Sequence, residues 1–222
     1  MSDGGIDLDE LAAAYAYPER KPWLRGNMIS SLDGAIRYKG NTGALGYDTD
    51  WQLMQRLRGL ADVVLMGATT IREYTEYPAG AGALAVVSRS LELDFDGPLF
   101  TEAPAPPLIY TCESAPPDRL RAARARAEVL LTGEDSASIP AMLRDLDARG
   151  LHRQLCEGGP TVLAEIAAEG FLDELCLTLS PTIVAGAEPR ILNGRAIDLQ
   201  RMTLRHTIRD GDYLYLRYTK AE

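Results

Sequence analysis

LHRQLCEGGPTVLAEI, Leu151 to Ile166, carries the densest structural signal in the chain. It predicts a short strand, a glycine turn and the opening of a helix. Glu157 closes the strand, and Gly158 and Gly159 let the backbone turn tightly and bare its N–H groups. Pro160 suits the first helical position, because the N–H it lacks would be unpaired there. Thr161 follows, then Val162, Leu163 and Ile166 at helical spacing. A helix start reached through glycines attracts anions, since its free N–H groups and its dipole both point at the ligand. The stretch therefore reads as a phosphate cradle beside a carboxylate, or as an ordinary strand-to-helix turn. Taken alone, it favours the second reading.

The same grammar recurs on either side of this stretch. Trp23 to Ile29 reads as a first strand, broken by Gly26 where something approaches the backbone closely. Ser30-Ser31-Leu32-Asp33-Gly34 follows as a polar loop or a plain turn. Asp48 or Thr49 is expected to cap a helix with Trp51, Met54, Leu57 and Leu60 as its apolar stripe and Gly59 at its end. Arg56 and Arg58 near that end are explained by the helix dipole alone. Ala61 to Met66 is a nearly continuous apolar run, as in a strand covered on both faces. Gly67-Ala68-Thr69-Thr70 then forms a second glycine–hydroxyl junction. Leu84 to Val87 is another strand, ending in Ser88-Arg89-Ser90. There Arg89 is a surface residue or a partner for a cofactor 2′-phosphate. Residues 91–107 read as an irregular crossing, and Leu108–Thr111 and Glu128–Thr132 as strands, the latter ending at Gly133. Helices are expected over Asp118–Ala127 and Ser138–Arg149. Leu175–Leu179 is a further strand. Met202–Ile208 and Tyr213–Tyr218 flank Arg209-Asp210-Gly211-Asp212, a hairpin signal. The expected fold is one α/β domain with a mixed, mostly parallel central sheet flanked by helices and a C-terminal antiparallel hairpin. It spans residues 22–220, after a peripheral arm over 1–21 in which Leu8, Leu11, Ala12 and Tyr15 suggest a short helix.

Composition narrows the function classes. The chain has 222 residues, a formal net charge of −9 and 46% hydrophobic residues. That suits a globular domain and argues against a nucleic-acid binder, whose footprint is basic. Cys112, Cys156 and Cys176 lie in apolar runs without metal-ligand spacing, so buried free thiols in a reducing compartment are expected. His152 and His206 belong to no metal or triad pattern. With no membrane-length run and an acidic N-terminus lacking a signal core, the expected location is the cytoplasm. The Gly-x-Gly-x-x-Gly fingerprint, a nucleophile elbow and a Walker lysine are all absent. Several anion-ready helix starts along one sheet edge suit a dinucleotide. Hydride transfer fits this poverty of side-chain chemistry, because the cofactor supplies the reactive atom.

Four segments in order carry a resemblance. They are Met28-Ile29-Ser30-Ser31-Leu32-Asp33-Gly34, Leu57-Arg58-Gly59-Leu60-Ala61-Asp62 with Gly67-Ala68-Thr69-Thr70, Glu157-Gly158-Gly159-Pro160-Thr161, and Phe171-Leu172-Asp173-Glu174-Leu175 with Ser180-Pro181. Together they resemble the pyrimidine reductase domain of riboflavin biosynthesis, which has a dihydrofolate-reductase-like fold. The resemblance implies NADPH-dependent reduction of the ribosyl group of 5-amino-6-(5-phosphoribosylamino)uracil to a ribityl chain, in a homodimer. By motif, Ile29, Gly67, Thr69, Thr70, Gly158 and Val162 would contact NADPH, and Gly159, Pro160 and Thr161 would hold its pyrophosphate. Ser88 and Gly133 are further cofactor candidates. Ser31, Thr42, Arg58 and Glu157 would bind the phosphorylated pyrimidine. Glu157 and Asp33 would stand at the reaction centre, Asp33 bonding the sugar or ordering a water. No metal is implied. One departure is expected to matter: Tyr74 stands where the family pattern has an aspartate, and Ala44 where it has a tryptophan. A same-fold reductase acting on dihydrofolate or another heterocycle therefore stays open, as does a nucleotide-binding protein without activity.

Overall fold

The computed structural model describes residues 13–20 and 22–221. Nine strands form one sheet: β1 (Trp23–Ser30), β2 (Val63–Gly67), β3 (Ala83–Val87), β4 (Leu108–Cys112), β5 (Glu128–Gly133), β6 (Arg153–Cys156), β7 (Glu174–Leu179), β8 (Met202–Asp210) and β9 (Tyr213–Lys220). Their order is β5-β4-β3-β2-β6-β1-β7-β9-β8. The first seven strands pair in parallel, while β9 runs antiparallel to both β7 and β8. The helices are α1 (Asp48–Leu60), α2 (Ala68–Ile71), α3 (Pro98–Thr101), α4 (Pro117–Arg124), α5 (Ile139–Ala148) and α6 (Pro160–Ala168). None among the described residues is long and apolar enough to cross a membrane.

The parallel strands are apolar on both faces because both faces are covered. Val64, Met66, Val86, Ile109 and Leu155 face a core shared with Leu53 and Leu57 of α1. Val63, Leu65, Ala85 and Leu108 face the other core, with Met142 and Leu146 of α5 and Leu163 and Ile166 of α6. The approach expected at Gly26 is made by α6: a Cβ there would lie 2.9 Å from Leu163 Cδ1. Ser138 caps α5 through its hydroxyl, which accepts from the Ala141 N–H, an interaction worth about 1 kcal/mol. Pro160 takes the first turn of α6, as its chemistry requires.

Other expectations are corrected. The N-cap of α1 is Tyr47, not Asp48 or Thr49, and Gly59 lies inside the helix. Trp51 is 51% exposed, and the buried residues of α1 are Leu53, Leu57 and Arg58. A stripe drawn at spacing three drifts round a helix of about 3.6 residues per turn, so it left the true face. The crossing over 91–107 contains α3, and α4 is shorter than Asp118–Ala127 and begins one residue earlier. The hairpin strands extend to pair Asp210 with Tyr213, leaving Gly211-Asp212 as a two-residue turn with Gly211 at φ 55°. All three cysteines are buried free thiols, as expected.

Within the described residues of the N-terminal segment, 13–20, Tyr15 is packed into the domain rather than peripheral. Leu8, Leu11 and Ala12 lie outside the described residues, but Tyr15 is 1% exposed. Its carbonyl accepts from Arg25 Nη2 at 2.6 Å, and the Ala14 carbonyl accepts from Arg217 Nη1 at 2.7 Å. Both arginines bond Glu174, Arg25 at 2.7 Å and Arg217 at 2.8 Å, and the Trp23 indole N–H donates to the same carboxylate at 2.9 Å.

Candidate active site

The chain leaves β2 toward β3 on one side and β6 toward β7 on the other. The connections thus diverge at the carboxyl ends of two neighbouring strands, the place where open α/β sheets form a crevice. Both glycine turns stand there. The Gly67 N–H donates to the Gly158 carbonyl at 2.8 Å. A Cβ on Gly67 would lie 3.1 Å from the Gly159 nitrogen and 3.0 Å from Val162 Cγ2, and one on Gly159 would lie 3.2 Å from Thr70 Oγ1. Gly158 has φ +94°, and the Gly158–Gly159 peptide is cis. The two turns pack closely, Gly67 against the Gly159 backbone and Gly159 against the Thr70 hydroxyl. Beyond them, α6 opens without a side-chain cap, and its Leu163 N–H bonds the Gly159 carbonyl. The Thr161 and Val162 N–H groups precede that bond and have no partner within the helix. Thr161 and Thr69 are exposed and Thr70 is half-buried, so hydroxyls flank the bare amides. The arrangement can take an anion.

Glu157 adjoins this cradle. Its carboxylate receives Arg58 Nε and Nη2, both at 2.7 Å, in a two-point pair. The Arg58 side chain is 0% exposed and that of Glu157 is 4% exposed. Arg58 Nη2 also donates to the Tyr74 hydroxyl at 2.7 Å, and Nη1 to the Ala79 carbonyl at 3.1 Å. The dipole explanation of Arg58 is therefore replaced: this arginine points into the protein and holds a carboxylate. Burial pushes the Glu157 carboxyl up, and the Arg58 guanidinium opposes that shift. The Tyr74 hydroxyl keeps a polar oxygen on Arg58 without adding a charge.

The loop after β1 is equally specific. Ser31 is buried, and its hydroxyl accepts from the Ala35 N–H at 2.9 Å while donating to Asp33 Oδ1 at 2.5 Å. The exposed Asp33 carboxylate also receives the N–H groups of Ala185, at 2.6 Å, and Val184, at 3.1 Å. The Ser31 hydroxyl and these two amides hold the Asp33 carboxyl down at about 2. Asp33 is thus an anion at any ordinary pH and a clasp between two loops. Ile29, half-buried near the end of β1, is in register with Thr178 of β7.

Three candidates stand apart from this group. Thr42 lies in the loop before α1, where its carbonyl accepts from the Leu45 N–H. Ser88, 3% exposed, spends its hydroxyl on the Leu91 N–H at 2.9 Å, two strands from β6. Gly133 ends the edge strand β5, and the next helix starts at Ile139 with Ser138 as its N-cap, as expected, five residues beyond the glycine. Sequence reasoning missed Asp50 and Thr178: Thr178 Oγ1 donates to Asp50 Oδ1 at 2.6 Å, on the same sheet edge. The signal was present, since Asp50, Leu53 and Leu57 share one helical face, with spacings of three and four.

A parallel sheet with bare amides and a buried ion pair at its carboxyl edge defines the class: an α/β protein with a crevice for an anionic ligand. The chain belongs to the RibD C-terminal domain family, whose model matches residues 22–216. It is 27% identical, over 90% of this chain and 98% of the relative, to a 2,5-diamino-6-ribosylamino-4(3H)-pyrimidinone 5′-phosphate reductase of Methanothermobacter thermautotrophicus. A pyrimidine reductase-like protein of Corynebacterium diphtheriae superposes with a TM-score of 0.82 at 25% identity, covering 99% of this chain and 97% of that one. Dihydrofolate reductase of Enterococcus faecalis, solved with NADP(H), shares the fold with a TM-score of 0.54 at 14% identity, over 90% of this chain and 98% of that one. The dihydrofolate-reductase-like fold expected from the sequence is the fold observed.

Proposed function

We propose that the protein reduces the ribosyl group of a phosphorylated ribosylaminopyrimidine to a ribityl chain in riboflavin biosynthesis, with NADPH as the cofactor. The observation that carries this reading is the side-chain-free cradle of Gly67, Gly158 and Gly159 at the start of α6, beside Glu157. A Cβ at Gly67 or Gly159 would crowd it, so the residues present fit a pyrophosphate. Gly159, Pro160 and Thr161 would hold that group, with Thr69, Thr70 and Val162 beside it and Ile29 under the nicotinamide. Bound there, NADPH supplies the hydride. Ser88 and Gly133 lie further along the same edge, toward the adenosine half. The Arg58–Glu157 pair presents a fixed carboxylate edge to the substrate, and Asp33 with Ser31 closes the opposite side against the sugar. Thr42 belongs to the loop that would meet the substrate phosphate. The three buried thiols suit a reducing cytoplasm. A homodimer is supported by the half-exposed row of Leu175, Leu177 and Leu179 on β7 and Leu214, Leu216 and Tyr218 on β9, an apolar face that a second copy would cover.

The base is the remaining choice. The Methanothermobacter relative is named for the 2,5-diamino pyrimidinone, whereas the sequence resemblance pointed to the uracil form. Both carry the same ribosyl phosphate, so the reduction is common to them. Purified protein given NADPH and each compound in turn is expected to consume NADPH with at least one, and with neither ribityl product as substrate. NADPH binding without turnover of either compound, or of dihydrofolate, would leave only a nucleotide-binding protein.

A further inference from the structure

Reducing a ribosyl carbon to a ribityl chain needs more than hydride. As C1′ gains hydride from the reduced nicotinamide, the C1′–O4′ bond breaks and O4′ must gain a proton. Three carboxyls stand along the candidate crevice. Asp33 is held as an anion by Ser31 and two amides. Glu157 is engaged at both oxygens by Arg58. Asp50 differs from both. It receives one neutral donor, Thr178, on Oδ1, and its Oδ2 makes no hydrogen bond among the described residues. It is half-buried, in the first turn of α1. Thr178 places it at the carboxyl end of β7, in register with Ile29 of β1, and its charge is felt at Glu157 at the end of β6. We propose that Asp50 is the acid that protonates the departing ribosyl O4′, with Thr178 as its positioning residue; this rests on the reductase reading above.

The surroundings suit that role. Burial pushes the Asp50 carboxyl up, and the Thr178 hydroxyl works against that shift. The charged and titratable groups near it on neighbouring elements are Glu157 after β6 and Tyr215 on β9, and Tyr215 in turn feels Asp210 on β8. On its own helix, Thr49 is bound to Asp210 and Arg58 to Glu157. Glu157 feels the charge of Asp50, and Arg58 is already paired with Glu157.

The test uses Asp50→Asn and Thr178→Val in the full chain. Asp50→Asn is expected to lose about 100-fold or more in kcat with NADPH affinity unchanged, the scale of general-acid catalysis. In the wild type, kcat should fall as pH rises through the Asp50 pKa. That limb should vanish in Asp50→Asn and move to higher pH in Thr178→Val, which removes the hydroxyl that stabilises the carboxylate. Carboxyl carbon NMR of the ligand-free protein should show one signal, absent in Asp50→Asn, that titrates above the ordinary aspartate range. An Asp50 signal within the ordinary range, or a descending limb unmoved in both variants, overturns the proposal while leaving the reductase intact. A wild type that reduces no ribosylaminopyrimidine overturns the function and this inference with it.

Discussion

Glu174→Ala should lose about 3–5 kcal/mol of folding stability, the cost of removing one partner from a buried ion pair. The Glu174 side chain is 0% exposed and bonds two arginines at once, Arg25, also 0% exposed, and Arg217. It further accepts the Trp23 indole N–H and the Cys176 thiol. Without it, two guanidinium groups keep only backbone carbonyls and the faces of Tyr15 and Tyr17, the latter 4.1 Å from Arg25 Cζ. Burial alone would raise the Glu174 carboxyl, but Arg25 and Arg217 outweigh it, so the group sits below the ordinary range. A carboxyl lowered on folding contributes stability that is fully present above its unfolded pKa, about 4.3. That contribution is lost as pH falls through the lower folded value. Urea unfolding at neutral pH should therefore show the full loss. Repeating it at decreasing pH should bring the variant and wild-type curves together. Curves that differ by less than 1 kcal/mol at neutral pH would mean that the arginines find other partners.

The second large effect falls on binding. Gly159→Asp should weaken NADPH by at least about 100-fold, ~2.8 kcal/mol, and yet leave the protein folded. Gly159 is the N-cap of α6, with φ −63° and ψ 171°, a backbone open to any residue. Aspartate is among the preferred N-caps, so the helix itself gains a partner for its free amides. That gain is what excludes the cofactor: the new carboxylate occupies the amides and repels the pyrophosphate. Its Cβ would also press on Thr70 Oγ1, 3.2 Å away. Fluorescence titration with NADPH would read the loss, and a thermal melt would show that the fold survives. An unchanged Kd would move the dinucleotide away from the glycine turns.

Legibility followed the range of the interactions. The β6–α6 junction could be read from sequence because every requirement there is local: glycines for the turn, proline for the first helical residue, apolar spacing for the buried face. The hairpin was legible for the same reason. The face of α1 was not, because Trp51 and Met54 are as apolar as Leu53 and only the sheet beneath decides which side packs. That error of phase hid Asp50 and turned Arg58 outward. The Arg25–Glu174 pair joins residues 149 apart, and the Arg58–Glu157 pair residues 99 apart. Each partner alone reads as a surface charge. The family resemblance gave Arg58 a role beyond that and added a substrate role to the Glu157 carboxylate beside the cradle, but it gave no indication that they bind each other.

The tether between the N-terminal segment and the two sheet arginines also bears on where the autonomous folding unit ends. The family pattern is recognisable over residues 22–216. The carbonyls of Ala14, Tyr15 and Ala16 that receive the arginines precede that span, and Arg217 follows it. A fragment trimmed to the recognisable span would keep the crevice but leave Arg25 and Glu174 without half of their charge network. Such a fragment should melt well below the full chain. The span that the family model matches and the span that closes the core are here two different lengths of polypeptide.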